Sequence, residues 1–138
     1  MKTEKPRPTL RIILDANALF VPFEFRIDIF QALRTLLDRN FELVILKPVE
    51  EELKRLAREG SPQMRKKALC ALELAQQCRV LSVEAHSVTT DDAILRFAEK
   101  CHYPVFTNDG ELRKKLRDIN VPVIYVRQKS RLEIDGRL

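Results

Sequence analysis

Four acidic residues occupy places from which carboxylates could act together: Asp15, Glu52, Asp91 and Asp109. Asp15 directly follows the apolar run Leu10-Arg11-Ile12-Ile13-Leu14, with Asn17 two residues further on. Asp109 follows Pro104-Val105-Phe106-Thr107 and Asn108 and opens a helical pattern, so it repeats the setting of Asp15, with two short polar groups beside it. Glu52 differs from its neighbours Glu50 and Glu51. On a helical wheel it falls three residues after Val49 and four before Leu56, along the apolar stripe, whereas Glu50 and Glu51 lie four before Lys54 and Arg55, the orientation that favours exposed ion pairs. Asp91 stands three residues before Ile94 and seven before Ala98 on another such stripe, while Asp92 diverges by about 100° and leads to Arg96. Each acid alone also has a structural alternative: Asp15 as a helix N-cap, Glu52 as a solvated rim residue, and Asp91 and Asp92 as complements to a helix dipole.

The elements that must position these residues alternate strand and helix. Leu10–Leu14, Leu43–Leu46, Val80–Val83, Pro104–Thr107 and Val121–Val126 read as five strands. Between them, three- and four-residue spacing predicts helices from about Arg26 to Arg39, from Pro48 to Gly60, along Met64 to Ala75, from Asp91 to His102 and from Glu111 to Asp118. His86 to Thr90 reads as loop, and the internal Pro122 suggests an edge position for the last strand. This is the pattern of βα units around a parallel sheet, so the expected fold is α/β: a single-domain α/β/α sandwich with a central, mostly parallel sheet of about five strands. The expected organisation is a basic extension at 1–9, the domain at 10–126 and a polar, basic tail at 127–138.

In an open parallel sheet, ligands bind at the carboxyl ends of the strands, and all four acids fall at that edge. Two carboxylates about 4 Å apart repel by roughly 4 kcal/mol at an effective dielectric near 20. A cluster therefore requires raised pKa values or a cation. No Lys, Arg or His lies between the acids within these short motifs. A hard divalent ion with oxygen ligands, Mg²⁺ or Mn²⁺, is the natural counterion.

The 138 residues suffice for one core, and 45% hydrophobic with 33% charged residues leaves no apolar run near the about 20 that a membrane-spanning helix requires. A membrane partner is not expected. The polar start, with Lys2, Lys5, Arg7 and Arg11 and no apolar segment after them, is unlike a secretory signal and leads to a cytoplasmic expectation. Cys70, Cys78 and Cys101 are odd in number and lack a CxxC pair, and are expected to be reduced, half-buried packing residues. A net charge of +5 favours polyanions in general. Basic residues collect at the N-terminus, at Arg65 to Lys67, at Arg113 to Arg117 and at Arg127 to Arg131.

Taken in order, Asp15-x-Asn17, Pro48-Val49-x-x-Glu52-Leu53, Asp91-Asp92-x-Ile94 and Thr107-Asn108-Asp109 resemble the PIN-domain nuclease family over nearly the whole chain. The nine-residue step from Ala98 to Thr107 is similar to that of many members. The stretch Val121–Val126 with Lys129 and Arg131 resembles archaeal members related to the small-subunit ribosomal RNA processing branch. The resemblance implies a metal-dependent ribonuclease in which Asp15, Asp91 and Asp109 hold one or two Mg²⁺ or Mn²⁺ ions, directly or through water. Asp92 is the other candidate ligand of its pair, Glu52 completes the cluster or positions the attacking water, and Asn17, Thr107 and Asn108 orient the ligands from behind. An acidic pocket repels phosphate until metal fills it, so RNA affinity is expected from Arg113, Lys114, Arg117, Arg127, Lys129 and Arg131.

The implied settings are ribosomal RNA maturation and a toxin-type ribonuclease, with a ribosome-assembly factor or an antitoxin as the corresponding partner and a homodimer as the candidate assembly. Two other activities compete. A catalytically silent RNA-binding scaffold would use the basic surfaces alone. A phosphoryl-transfer enzyme of the haloacid dehalogenase type would use Asp15 as nucleophile, and it fits poorly because Asn17 stands where that family's second aspartate acts.

Overall fold

The computed structural model describes residues 8–83 and 89–138. Strand β1 (Leu10–Leu14) leads into two short helices, α1 (Ala16–Leu19) and α2 (Val21–Phe25), and then α3 (Ile29–Leu37). Strand β2 (Phe41–Leu46) is followed by α4 (Lys47–Glu59) and α5 (Pro62–Ala75), and β3 (Arg79–Leu81) precedes α6 (Thr90–Cys101). The chain ends with β4 (Val105–Phe106), α7 (Gly110–Asp118), β5 (Val123–Arg127) and β6 (Arg131–Asp135).

The six strands lie in the order β3-β2-β1-β4-β5-β6. The first five pair in parallel and β6 runs antiparallel to β5. Helices cover both faces, which is why the central strands are continuous apolar runs rather than alternating ones. Ile12, Ile13, Leu14, Val44, Ile45, Leu46 and Phe106 are fully buried, and α4 and α7 seal them with Val49, Leu53, Leu112 and Leu116. Winding proceeds outward from β1 through β2 to β3, then returns to the other side of β1 at β4. The strand order therefore reverses between β1 and β4, and the crevice at their carboxyl ends is where such sheets place ligands. The Asp15 amide donates to the Phe106 carbonyl at 3.0 Å, binding the two strand ends together at that crevice.

Several expectations are corrected here. The helix expected from Arg26 begins at Ile29, because Arg26 takes a left-handed conformation (φ 56°) and Asp28 caps the first turn through Phe30 and Gln31. The segment 127–138 is not a tail: it contains β6, which turns back along β5 from Arg127 opposite Arg131. Consequently β5 is an inner strand, and Pro122 precedes it instead of marking an edge. Glu50 pairs with Lys54 at 3.4 Å as its spacing predicts, but Arg55 leans to Glu59 at 4.0 Å rather than back to Glu51. Cys78 and Cys101 are half-buried, whereas Cys70 is exposed; all three are free thiols. The loop expected at His86 to Thr90 lies mostly outside the described residues, and its last residues belong to the start of α6, where Thr89 caps the helix by accepting from the Asp92 amide.

Candidate active site

Asp15 is the centre of the site. It is only 7% exposed, at the end of a strand whose last three residues are buried. Its Oδ1 accepts from the Ala16 amide at 2.8 Å, so it does cap α1, the role that its position alone suggested. Its Oδ2 accepts from the Thr107 hydroxyl at 2.8 Å and from the Asn17 Nδ2 at 3.1 Å. No cation is among these donors. Burial pushes its carboxyl up from the usual 3.8, the hydrogen bonds from Thr107 and Ala16 oppose that, and the like charges of Asp91 and Asp109 push it further.

Thr107, fully buried just beyond β4, is the hub beneath the carboxylate. While donating to Asp15, its oxygen accepts from the Asp109 amide at 3.1 Å and from the Asn17 Nδ2 at 3.3 Å. Asn17 completes the bridge between the strand ends by accepting at Oδ1 from the Asn108 amide at 2.9 Å. The Asn108 side chain turns away from the acids and accepts from the Val126 amide at 2.8 Å, stapling the loop after β4 to β5. Removing that acceptor by Asn108→Ala is expected to destabilise the fold by about 1 kcal/mol, measured by urea unfolding at unchanged slope.

Asp109 caps α7 through Oδ1, accepting from the amides of Glu111 at 2.9 Å and Leu112 at 3.4 Å. Asp91 projects from the first turn of α6, half-buried. Its carboxyl is also raised, first by burial and then by Asp109, with Glu52 and Asp92 adding smaller like-charge contributions. Glu52 on α4 accepts from the Thr90 hydroxyl at 3.3 Å, a link that joins α4 to the start of α6. Asp91 and Asp109 thus act on Asp15, and Asp109, Glu52 and Asp92 act on Asp91, so that Asp91 links Glu52 to the acids at the ends of β1 and β4. Among the described residues, no group of three or more acidic, histidine or cysteine side chains stands close enough together, as placed, to hold a metal ion.

One cation does reach this edge, contrary to the expectation drawn from the local motifs: Lys115 on α7 lowers the Asp91 carboxyl against its acidic neighbours. It was not legible because it comes from the helix packed beside α6 and not from the segment around Asp91. The six basic residues expected to hold RNA fall into two arginine pairs and two lysines. Arg113 and Arg117 share Asp135 through contacts of 3.0 and 3.2 Å, and Arg127 and Arg131 share Glu133 at 3.2 Å each. Lys114 and Lys129 are exposed and enter no ion pair among the described residues. Two arginines per carboxylate leave this face positively charged even after pairing. Tyr125 and Asp135, which hold Arg113 in place, escaped the sequence reading because they lie on the β5–β6 hairpin while their partner lies on α7.

Among the described residues, the buried Asp15 carboxylate has no basic hydrogen-bond partner and lies in the field of two like charges, Asp91 and Asp109, at the topological switch point of the sheet. The sequence pattern of the family described as "PIN like domain" matches residues 12–129. "Ribonuclease VapC4" of Methanocaldococcus jannaschii is 37% identical over 127 residues, covering 91% of this chain and 97% of the relative. "Ribonuclease VapC9" of Archaeoglobus fulgidus is 26% identical over 123 residues, covering 89% of this chain and 87% of the relative. Among solved structures, the PIN domain endonuclease Utp24 superposes with a TM-score of 0.78 at 24% identity, covering 93% of this chain and 92% of that one. The chain belongs to the PIN-like domain family, and its α/β/α fold with a mostly parallel sheet is the fold of that family.

Proposed function

We propose that this protein is a divalent-metal-dependent endoribonuclease whose active site is the carboxylate cluster around Asp15. The observation that carries this reading is the buried Asp15 carboxylate, held by Thr107 and Asn17 and near other acids, with no cation among the described residues bonded to it. The two relatives named ribonucleases, matched over most of their lengths, support RNA as the substrate.

Asp15, Asp91 and Asp109 would hold the ion, with Asp92 beside them, and all of these are oxygen donors of the kind Mg²⁺ and Mn²⁺ take. When bound, the ion supplies an activated water and offsets charge developing on the phosphate. The chain's own contribution is positional. Thr107 and Asn17 fix the Asp15 rotamer from two sides, so its outward lone pairs are presented without reorganisation. Glu52, steadied by Thr90, is the carboxylate that orients the attacking water or receives its proton. The water oxygen forms a bond to phosphorus as the bridging P–O bond breaks, and the departing oxygen takes a proton to become a ribose hydroxyl.

Since water and not the ribose 2′-hydroxyl is the nucleophile, products should carry simple phosphomonoester ends. Mass spectrometry of fragments from a defined RNA cut in Mn²⁺ tests this, and 2′,3′-cyclic phosphate ends would overturn the mechanism. Basic residues on α7 and the β5–β6 turn supply nonspecific affinity for the strand. Lys114→Ala and Lys129→Ala are each expected to reduce the salt slope of single-stranded RNA binding by about 0.7. Unchanged slopes in titrations from low to moderate salt would remove these residues from the binding track.

The same site serves either biological setting, a toxin-type ribonuclease restrained by an antitoxin or an enzyme of ribosomal RNA maturation. The similarity to VapC4 over nearly its whole length supports the first. Growth arrest on expression, relieved by a co-expressed small partner, is the result expected for it; accumulation of unprocessed ribosomal RNA on deletion, without such arrest, would favour the second. A silent scaffold would bind RNA and leave it intact under all metals.

A further inference from the structure

Beside the acids, at the carboxyl ends of β4 and β5, lies an open cavity of about 350 Å³ whose lining includes Thr107, Gly110, Arg113, Tyr125, Arg127 and Gln128. Thr107 also supports Asp15, so the cavity adjoins the carboxylate cluster through a shared residue. Among the described residues, no carboxylate lines the cavity. Arg113 is its most constrained member. Its Cζ sits 3.8 Å over the centre of the Tyr125 ring and its Nε donates to Asp135 at 3.0 Å. Tyr125 fixes one face of the guanidinium and Asp135 fixes its edge, which leaves a rigid cationic plane for a second flat group.

The mouth of the cavity is unusual. The β5–β6 turn closes with the Ser130 amide donating to the Arg127 carbonyl at 3.2 Å, and both central residues, Gln128 (φ 54°) and Lys129 (φ 58°), are left-handed. Turns of this kind strongly prefer Asn-Gly or other glycine pairs. Retaining two long side chains there holds the Gln128 amide at the cavity, bearing donor and acceptor groups, with its Oε1 only loosely engaged by Arg131 at 3.5 Å. Arg127, two residues after Tyr125 on the same face of β5, adds a positive charge at the same opening.

We propose that this cavity is a nucleotide subsite that seats one unpaired base of the RNA strand next to the scissile phosphate. The base stacks on the Arg113 plane, the Gln128 amide contacts the base edge, and Arg127 contacts the adjoining phosphate. The assignment rests on the ribonuclease reading and deepens it: the enzyme selects a single-stranded position at a fixed distance from the cut. Stacking on protein planes is a general means of holding unpaired bases.

Abasic scanning tests it. A set of 12-nucleotide single-stranded RNAs of one sequence, each lacking one base, is cleaved in Mn²⁺ by the wild type and by Arg113→Lys and Gln128→Gly. The lysine keeps charge and loses the plane, while glycine suits the left-handed turn and removes only the side chain. The expected result is a loss in kcat/KM of about tenfold or more at one position near the cut for the wild type. That dip should shrink in Arg113→Lys, and in Gln128→Gly the choice among the four bases at that position should be lost. If the wild type cleaves every abasic RNA equally, or the dip is unchanged in both variants, the subsite is wrong and the nuclease reading stands. If it cleaves no RNA, both readings fall.

Discussion

Asp15→Asn is expected to reduce RNA cleavage in Mn²⁺ by at least about a hundredfold while leaving the fold intact. Substitutions of groups that merely support a metal ligand typically cost 10- to 100-fold, and Asp15 is placed at the centre of the cluster, so its loss should meet or exceed the upper end. Asparagine has nearly the same shape, so the packing at this 7%-exposed position is preserved. Asp91→Asn should behave similarly. Thr107→Val, which keeps the shape and removes the hydroxyl that donates to Asp15 at 2.8 Å, should fall within that 10- to 100-fold range. The check is single-turnover cleavage of one labelled RNA, with circular dichroism melting of each variant alongside. Loss of cleavage together with loss of the cooperative transition would mean that these residues serve the fold only.

The second large effect is thermodynamic. Burial and like charge raise the Asp15 and Asp91 carboxyls above the usual 3.8, so the folded protein binds their protons more tightly than the unfolded chain does. The sign follows from linkage: their favourable contribution is complete below the unfolded pKa and is lost as pH rises through the raised folded values. In metal-free protein, wild type should therefore lose stability relative to Asp15→Asn as pH rises above about 4. A divalent ion held by the cluster is expected to reverse the order, because it would bind only the folded state. At a hundredfold excess over its dissociation constant it stabilises by about 2.7 kcal/mol, a shift of several degrees in Tm. Melting curves at pH 4 to 7, with EDTA and with Mn²⁺, check both halves. An Asp15→Asn protein that gains as much from Mn²⁺ as the wild type would place the ion elsewhere.

The placement of the candidate site's acids in the fold was largely legible because they sit where local pattern and topology agree. Asp15 and Asp109 follow strands that read as buried runs, and a parallel sheet sends the ends of β1 and β4 to one edge. Glu52 and Asp91 stood out by their helical phase. The part that escaped notice depends on contacts between distant segments. Arg131-Leu132-Glu133-Ile134-Asp135 alternates polar and apolar residues as a strand does, yet its three charged residues concealed β6 as a tail. Without β6, Asp135 had no location, and Arg113 and Arg117 read as free cations instead of residues gathered on one carboxylate. Lys115 was missed for the same reason: its field acts across the packing of α6 on α7, and no spacing within either helix reveals it. Helices α1 and α2 are too short to show a period, and what ends α2 is the left-handed Arg26.

Cleavage is expected to belong to the carboxylate cluster and to an ion held there. The most direct test places wild type and Asp15→Asn, purified in parallel, on one single-stranded RNA in EDTA, then in Mn²⁺, then in EDTA again. Cleavage confined to the wild type in Mn²⁺, and stopped when EDTA returns, is the expected result. Cleavage that persists in EDTA, or that Asp15→Asn carries out at the wild-type rate, would contradict it.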